Sequence, residues 1–99
     1  MGYSIFDHDT MDYLHTGRNS DTVKDAMEAY LHYRQNDLGE WYYNNDDIAP
    51  NFNEKYNHLS EDKFDYGLFK EWVEEVISTQ KGIEFVEQDM ACCNFSIHK

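Results

Sequence analysis

The run Asp7-His8-Asp9, followed by Asp12 and His15, is the part of this chain that most nearly reads as a metal site. Imidazole nitrogens beside carboxylates are a donor set that can hold a divalent ion. A short helix over 9–16 would bring His8, Asp12 and His15 roughly to one side. The spacing follows neither His-Glu-x-x-His nor a calcium loop, so ordinary exposed polar residues are expected and no metal is assigned. His58 with Asp62, and His32 with Glu28, are i,i+4 pairs that carry less weight still. No phosphate loop, dinucleotide fingerprint or Gly-x-Ser-x-Gly elbow is present. Cys92 or Cys93 with His98 or His8 has the residue types of a nucleophile and its base. Cysteines on strands are usually buried and inert, however. The chain is therefore expected to have no catalytic residue and no cofactor, and not to be an enzyme.

Carboxylates in bulk say more than any one of them. The chain holds 20 Asp and Glu against 8 Lys and Arg, a formal charge of −12 in 99 residues. Small domains usually settle nearer a magnitude of about 2–8, because excess charge costs stability and attracts cationic partners. Two acidic sites emerge. In the first, Glu71, Glu74 and Glu75 fall on one side of a helix, with Glu61, Asp62 and Asp65 before them and Glu84 and Glu87 after. Lys70 is the only basic residue between Asp65 and Lys81, whereas exposed helices ordinarily mix the two signs. In the second, Glu40, Asp46, Asp47 and Glu54 alternate with Trp41, Tyr42, Tyr43, Phe52 and Tyr56. Aromatic anchors beside carboxylates suit an interface with Lys and Arg.

These residues need elements to position them. Leu68, Phe69, Trp72, Val73, Val76 and Ile77 recur at three-and-four spacing, which predicts a helix from residue 60 or 65 to 81 with Trp72 in the core. Asp65 can cap its start, and Gly82 stands where a left-handed C-terminal residue belongs. A second helix is predicted from residue 20 or 21 to about 35. Its inner side holds Val23, Met27, Tyr30, Leu31 and Arg34, with Ala26 at the margin. After Gly82 the period shortens, and 83–86 with 93–97 reads as a hairpin turning around 88–91. Residues 3–6 and 40–43 are candidate third and fourth strands. Residues 44–57, with five Asn, two Asp and Pro50, read as a long surface loop. The expected fold is α+β: a small antiparallel sheet of three or four strands with two main helices on one face, in one domain over 1–99.

Composition closes off other classes. Sixteen aromatic residues can build a core and argue against disorder. No apolar run approaches the length of a membrane span, and the sequence MGYSIFDHD lacks the features of a secretory signal. The chain is expected in the cytoplasm and away from anionic membranes. Cys92 and Cys93 are adjacent, a geometry poor for a mutual bridge, so two free thiols are expected. Two arginines and scattered lysines give no basic patch for direct nucleic-acid binding.

The reading that remains is a small inhibitor that docks its acidic, aromatic-studded surface on a basic protein surface, in place of nucleic acid. In broad composition the chain resembles the phage and mobile-element proteins that block restriction or CRISPR effectors. That likeness is to a functional class and involves no alignable motif. It implies a basic nucleic-acid-binding effector or nuclease as partner. An immunity protein or antitoxin facing a basic nuclease or toxin is the nearest alternative, and a small metal-binding module or enzyme using Asp7, His8, Asp9, Asp12 and His15 is the next. Charge that serves solubility alone, in a structural subunit, is a further one.

Overall fold

The computed structural model describes residues 2–17, 20–38, 47–56 and 65–99. In chain order these form β1 (Ser4–Asp7), β2 (Asp12–Tyr13), α1 (Val23–Tyr33), α2 (Pro50–Tyr56), α3 (Tyr66–Val76), α4 (Gln80–Cys92) and β3 (Phe95–His98), with a further helical turn at 35–38. The sheet is antiparallel, in the order β2-β1-β3. Phe6 stands opposite Tyr13 on one side and Ser96 on the other. Helices α1 and α4 pack against the strands, and α3 packs against α1, α2 and α4. The α+β class expected from the sequence is thus the one observed. The helix pair on the sheet is α1 and α4, rather than the two helices expected there. The fourth strand proposed at 40–43 lies outside the described residues.

Helix α1 starts later than its acidic leader suggests. Thr22 is the cap: its hydroxyl accepts from the Asp25 amide at 3.1 Å, and the Asp25 carboxylate accepts from the Thr22 amide at 3.2 Å. This reciprocal pair satisfies two amides that a helix start leaves free. Ala26, Met27, Ala29, Tyr30 and Leu31 are buried, while Val23, expected on the inner side, is 40% exposed. Asp65 caps α3 as expected, accepting from Leu68 N at 2.8 Å. Trp72 is fully buried with Phe69, Val73 and Val76; its ring lies 5.4 Å from that of Phe69 and 6.3 Å from that of Phe85.

Three expectations fail for local reasons. The helix predicted to 81 ends at Val76, and Gly82 is not its terminal residue but the third residue of α4. Thr79 caps α4, its hydroxyl accepting from Gly82 N at 2.9 Å. A Cβ on Gly82 would sit 1.8 Å from the Val76 carbonyl oxygen, so glycine is required by close approach of the two helix ends. The hairpin predicted after Gly82 is instead α4 followed by β3. Val86 and Met90 form its buried stripe with half-buried Ile83, a helical spacing that the short Ile83/Phe85 alternation obscures. Positive φ at Asn94 (61°) turns the chain from α4 into β3.

The loop expected over 44–57 contains α2. Pro50 occupies its first turn, where a missing amide costs nothing. Phe52 and Asn53 are buried, and the Asn53 side chain donates to the Ala49 carbonyl at 2.9 Å. The buried apolar residues of α1, α2, α3, α4 and β1 join one cluster.

Candidate functional site

The acidic face of α3 is the first place to look. Glu75 is half-buried and accepts from the backbone amides of Asn51 and Phe52, both at 2.8 Å. It therefore supplies the negative charge and the acceptors that the α2 N-terminus lacks. One turn earlier, Glu71 accepts from the Tyr56 hydroxyl at 2.8 Å and pairs with Lys55 at 3.2 Å. The Tyr56 hydrogen bond, with help from Lys55, holds the Glu71 carboxyl below the usual carboxylate range. Two of the three glutamates thus clasp α2 at its two ends, and Glu74 is left exposed. Glu54 on α2 and Asp47 ahead of it are also exposed. Asp65 lies at the opposite end of α3 from Glu75 and already receives the Leu68 amide. Glu40, Tyr42, Asp46, Glu61 and Asp62 lie outside the described residues, as do Trp41 and Tyr43.

The N-terminal cluster separates. Residues 9–16 form no helix; the chain makes a hairpin in which Met11 has φ 59°. Asp7 accepts from the Asp9 amide at 2.9 Å, and Asp12 from the Tyr13 amide at 2.8 Å. Asp9 accepts from the Asn94 side chain at 3.0 Å. These are turn-fixing uses of short carboxylates. His15 lines a separate cavity of about 270 Å³ with Tyr3, Leu14 and Ser20. His8 turns instead to Ser96 on β3, with His8 Nε2 to Ser96 Oγ at 2.7 Å. Among the described residues, no three His, Cys, Asp or Glu side chains converge to hold a metal.

A further set was not anticipated. Asp89 on α4 accepts from the Tyr30 hydroxyl, from Arg34 Nε at 3.0 Å and from Arg34 Nη2 at 3.3 Å. Arg34 also reaches Asp37, at 2.9 Å. Burial, reinforced by the hydrogen bond to Asp89, pushes the Tyr30 phenol well above the ordinary tyrosine range. The same carboxylate holds Arg34 firmly charged. The i,i+4 spacing of Tyr30 and Arg34 was the signal available, since it places both on one helix face. Asp89 carried no signal while 88–91 read as a turn. Cys92 is exposed, Cys93 is partly so, and both thiols are free. An open groove of about 430 Å³ runs between α1 and α4 beside β3, lined by Val23, Met27, Met90 and Phe95 among others.

Compared with protein-family models, with curated proteins and with solved structures, the chain finds no match in any of the three. No described helix is long and apolar enough to cross a membrane.

Proposed function

We propose that this chain is a small acidic inhibitor that docks on the basic surface with which another protein holds nucleic acid, and excludes nucleic acid by occupying that surface. The observation that carries the reading is the acidic excess at the surface of the fold, where exposed carboxylates outnumber the scattered exposed lysines Lys24, Lys55, Lys70, Lys81 and Lys99. Asp12, Asp21, Glu54, Glu74, Glu84 and Glu87 are exposed. Asp37, Glu71 and Asp89 are held in ion pairs with Arg34 and Lys55. The formal charge of −12 already offsets Lys and Arg against Asp and Glu, so these internal pairs leave the acidic excess unchanged. Such a surface steers association with a cationic partner and repels nucleic acid and anionic membranes. In this reading the protein is a stoichiometric binder in the cytoplasm, its partner is a basic nucleic-acid-binding effector or nuclease, and none of its residues is catalytic.

On the α2–α3 side, Glu54 and Glu74 are the carboxylates to test, because Glu71 and Glu75 also hold the fold. The protein is immobilised and challenged with extract of its native host, and the captured partner is then titrated with salt and with nucleic acid. The expected partner is a nucleic-acid-binding protein released by both, with binding that weakens steeply as salt rises. The double variant Glu54→Lys, Glu74→Lys should melt within about 0.5 kcal/mol of the parent and lose much of the capture. Capture insensitive to salt and to both reversals overturns the proposal.

A further inference from the structure

One face of the sheet packs on helices and the other is open. Side chains two apart on a strand share a face, so the Phe6–Ser96 register places His8, Phe6, Tyr13, Ser96 and His98 together on the open one. There His8 Nε2 lies 2.7 Å from Ser96 Oγ, and His98 Nε2 lies 2.7 Å from the same oxygen. Two imidazole nitrogens from opposite ends of the sequence thus aim at a single point. Their rings are held by a common neighbour: the Phe6 ring meets His8 edge-on at 4.9 Å and His98 at 5.9 Å, with Tyr13 against Phe6 at 5.1 Å. The two imidazoles are 6.5 Å apart, centroid to centroid. Ser96 has one hydroxyl proton, so it donates to at most one of the two nitrogens.

We propose that His8, Ser96 and His98 form a binding site for one late-transition divalent cation, of the class Zn²⁺, Ni²⁺ or Cu²⁺. The two Nε2 atoms are its ligands, the Ser96 hydroxyl is an auxiliary donor, and water fills the remaining positions. Imidazole nitrogen selects these ions over Mg²⁺ and Ca²⁺, which prefer oxygen. Coordination draws each nitrogen to about 2.0–2.1 Å from the ion. Both histidines are exposed, so their rings can rotate to that distance without disturbing the core. The excess of carboxylates raises the local concentration of cations. An ion held here ties β1 to β3, and because the two histidines are brought together by the β1–β3 register it favours the folded chain. The site is independent of the docking surface and stands or falls separately from it.

The test titrates the intact chain with Zn²⁺, and in parallel with Ca²⁺, while following the imidazole proton resonances and the melting temperature. Zn²⁺ is expected to shift the His8 and His98 signals saturably at one equivalent and to raise the melting temperature, while Ca²⁺ leaves both signals in place. His8→Ala and His98→Ala should each weaken binding by about tenfold or more, and His15→Ala should leave it unchanged. Both altered histidines are at the surface, so a melting curve like the parent's verifies that the variants fold. Absence of a saturable change at His8 and His98 in millimolar Zn²⁺ overturns the proposal. So does an affinity unaltered by His98→Ala.

Discussion

Helix α4 is tied to α1 through Asp89, and helix α2 is tied to α3 through Glu71 and Glu75, yet the two fastenings use carboxylates in different ways. Asp89 faces a guanidinium and a phenol in a partly enclosed site, where the Arg34 and Asp89 side chains are 20% and 15% exposed. Glu75 instead neutralises the end of a helix through two backbone amides, those of Asn51 and Phe52. Glu71 sits in more open water with Lys55, at 44% and 63% exposure. Acids in this chain therefore divide by what they touch. Those that meet the chain's own donors build the fold, and the remainder give it its surface charge. Proximity on one helix face does not sort them: Glu71, Glu74 and Glu75 belong to both groups.

Cutting the enclosed fastening should have the largest effect. Asp89→Ala leaves Arg34 Nε and Nη2 and the Tyr30 hydroxyl partly buried without their acceptor, and leaves Arg34 with the more exposed Asp37. Loss of one partner in such a pair costs about 3 kcal/mol or more. Urea denaturation of parent and variant measures it. A change below about 1 kcal/mol would put this site on a par with surface pairs and erase the distinction. The same site also has an alkaline signature. The Tyr30 phenol titrates above the ordinary tyrosine range when folded, so its contribution is complete below that range and declines as pH rises above about 10. Tyr30→Phe should flatten this limb of the stability curve.

Glu75→Ala should come next, at about 1–2 kcal/mol, the scale of a lost helix cap and its charge. Because α2 is short, the loss should concentrate there. Amide exchange is expected to accelerate at Asn53 and Glu54 before it does so in α3. Uniform acceleration across both helices would mean that the clasp is part of the global core and not a local device.

These contrasts also mark what the sequence could disclose. A stripe that is inner along its whole length, such as Phe69, Trp72, Val73 and Val76, is legible because burial repeats with the helix period. The Asp65 cap is legible because its partner amide is three residues away. Helix α2 was invisible because its stabilising groups belong to α3, and its own Asn-rich residues are those of a loop. Helix α4 was hidden by Gly82, whose close approach to Val76 mimics a stop signal. The spacing of Glu71, Glu74 and Glu75 places them on one side of α3, but that α2 covers part of that side depends on tertiary packing. The pairing of His8 with His98 likewise exists only through the β1–β3 register, so the sequence grouped His8 with neighbours that turn away from it.

The smallest expected effect is the one that separates the two glutamates of the clasp. Tyr56 and Lys55 hold the Glu71 carboxyl below its ordinary range, which means the folded state favours the ionised form. That contribution is present above the ordinary carboxylate range and is lost as pH falls through the lowered folded value. Because the side chain is largely in water and its ion pair is screened by salt, the loss should be less than that for Glu75→Ala. Glu71→Gln retains the shape and an acceptor for Tyr56 but removes the titrating charge. Its stability should therefore fall less than the parent's as pH drops through the carboxylate range, and the two curves should converge at the acid end. Parallel curves in thermal melts between about pH 6 and pH 3 would show that the Glu71 charge contributes nothing. In that case Glu75 alone fastens α2, and Glu71 joins Glu74 as surface charge available to a partner.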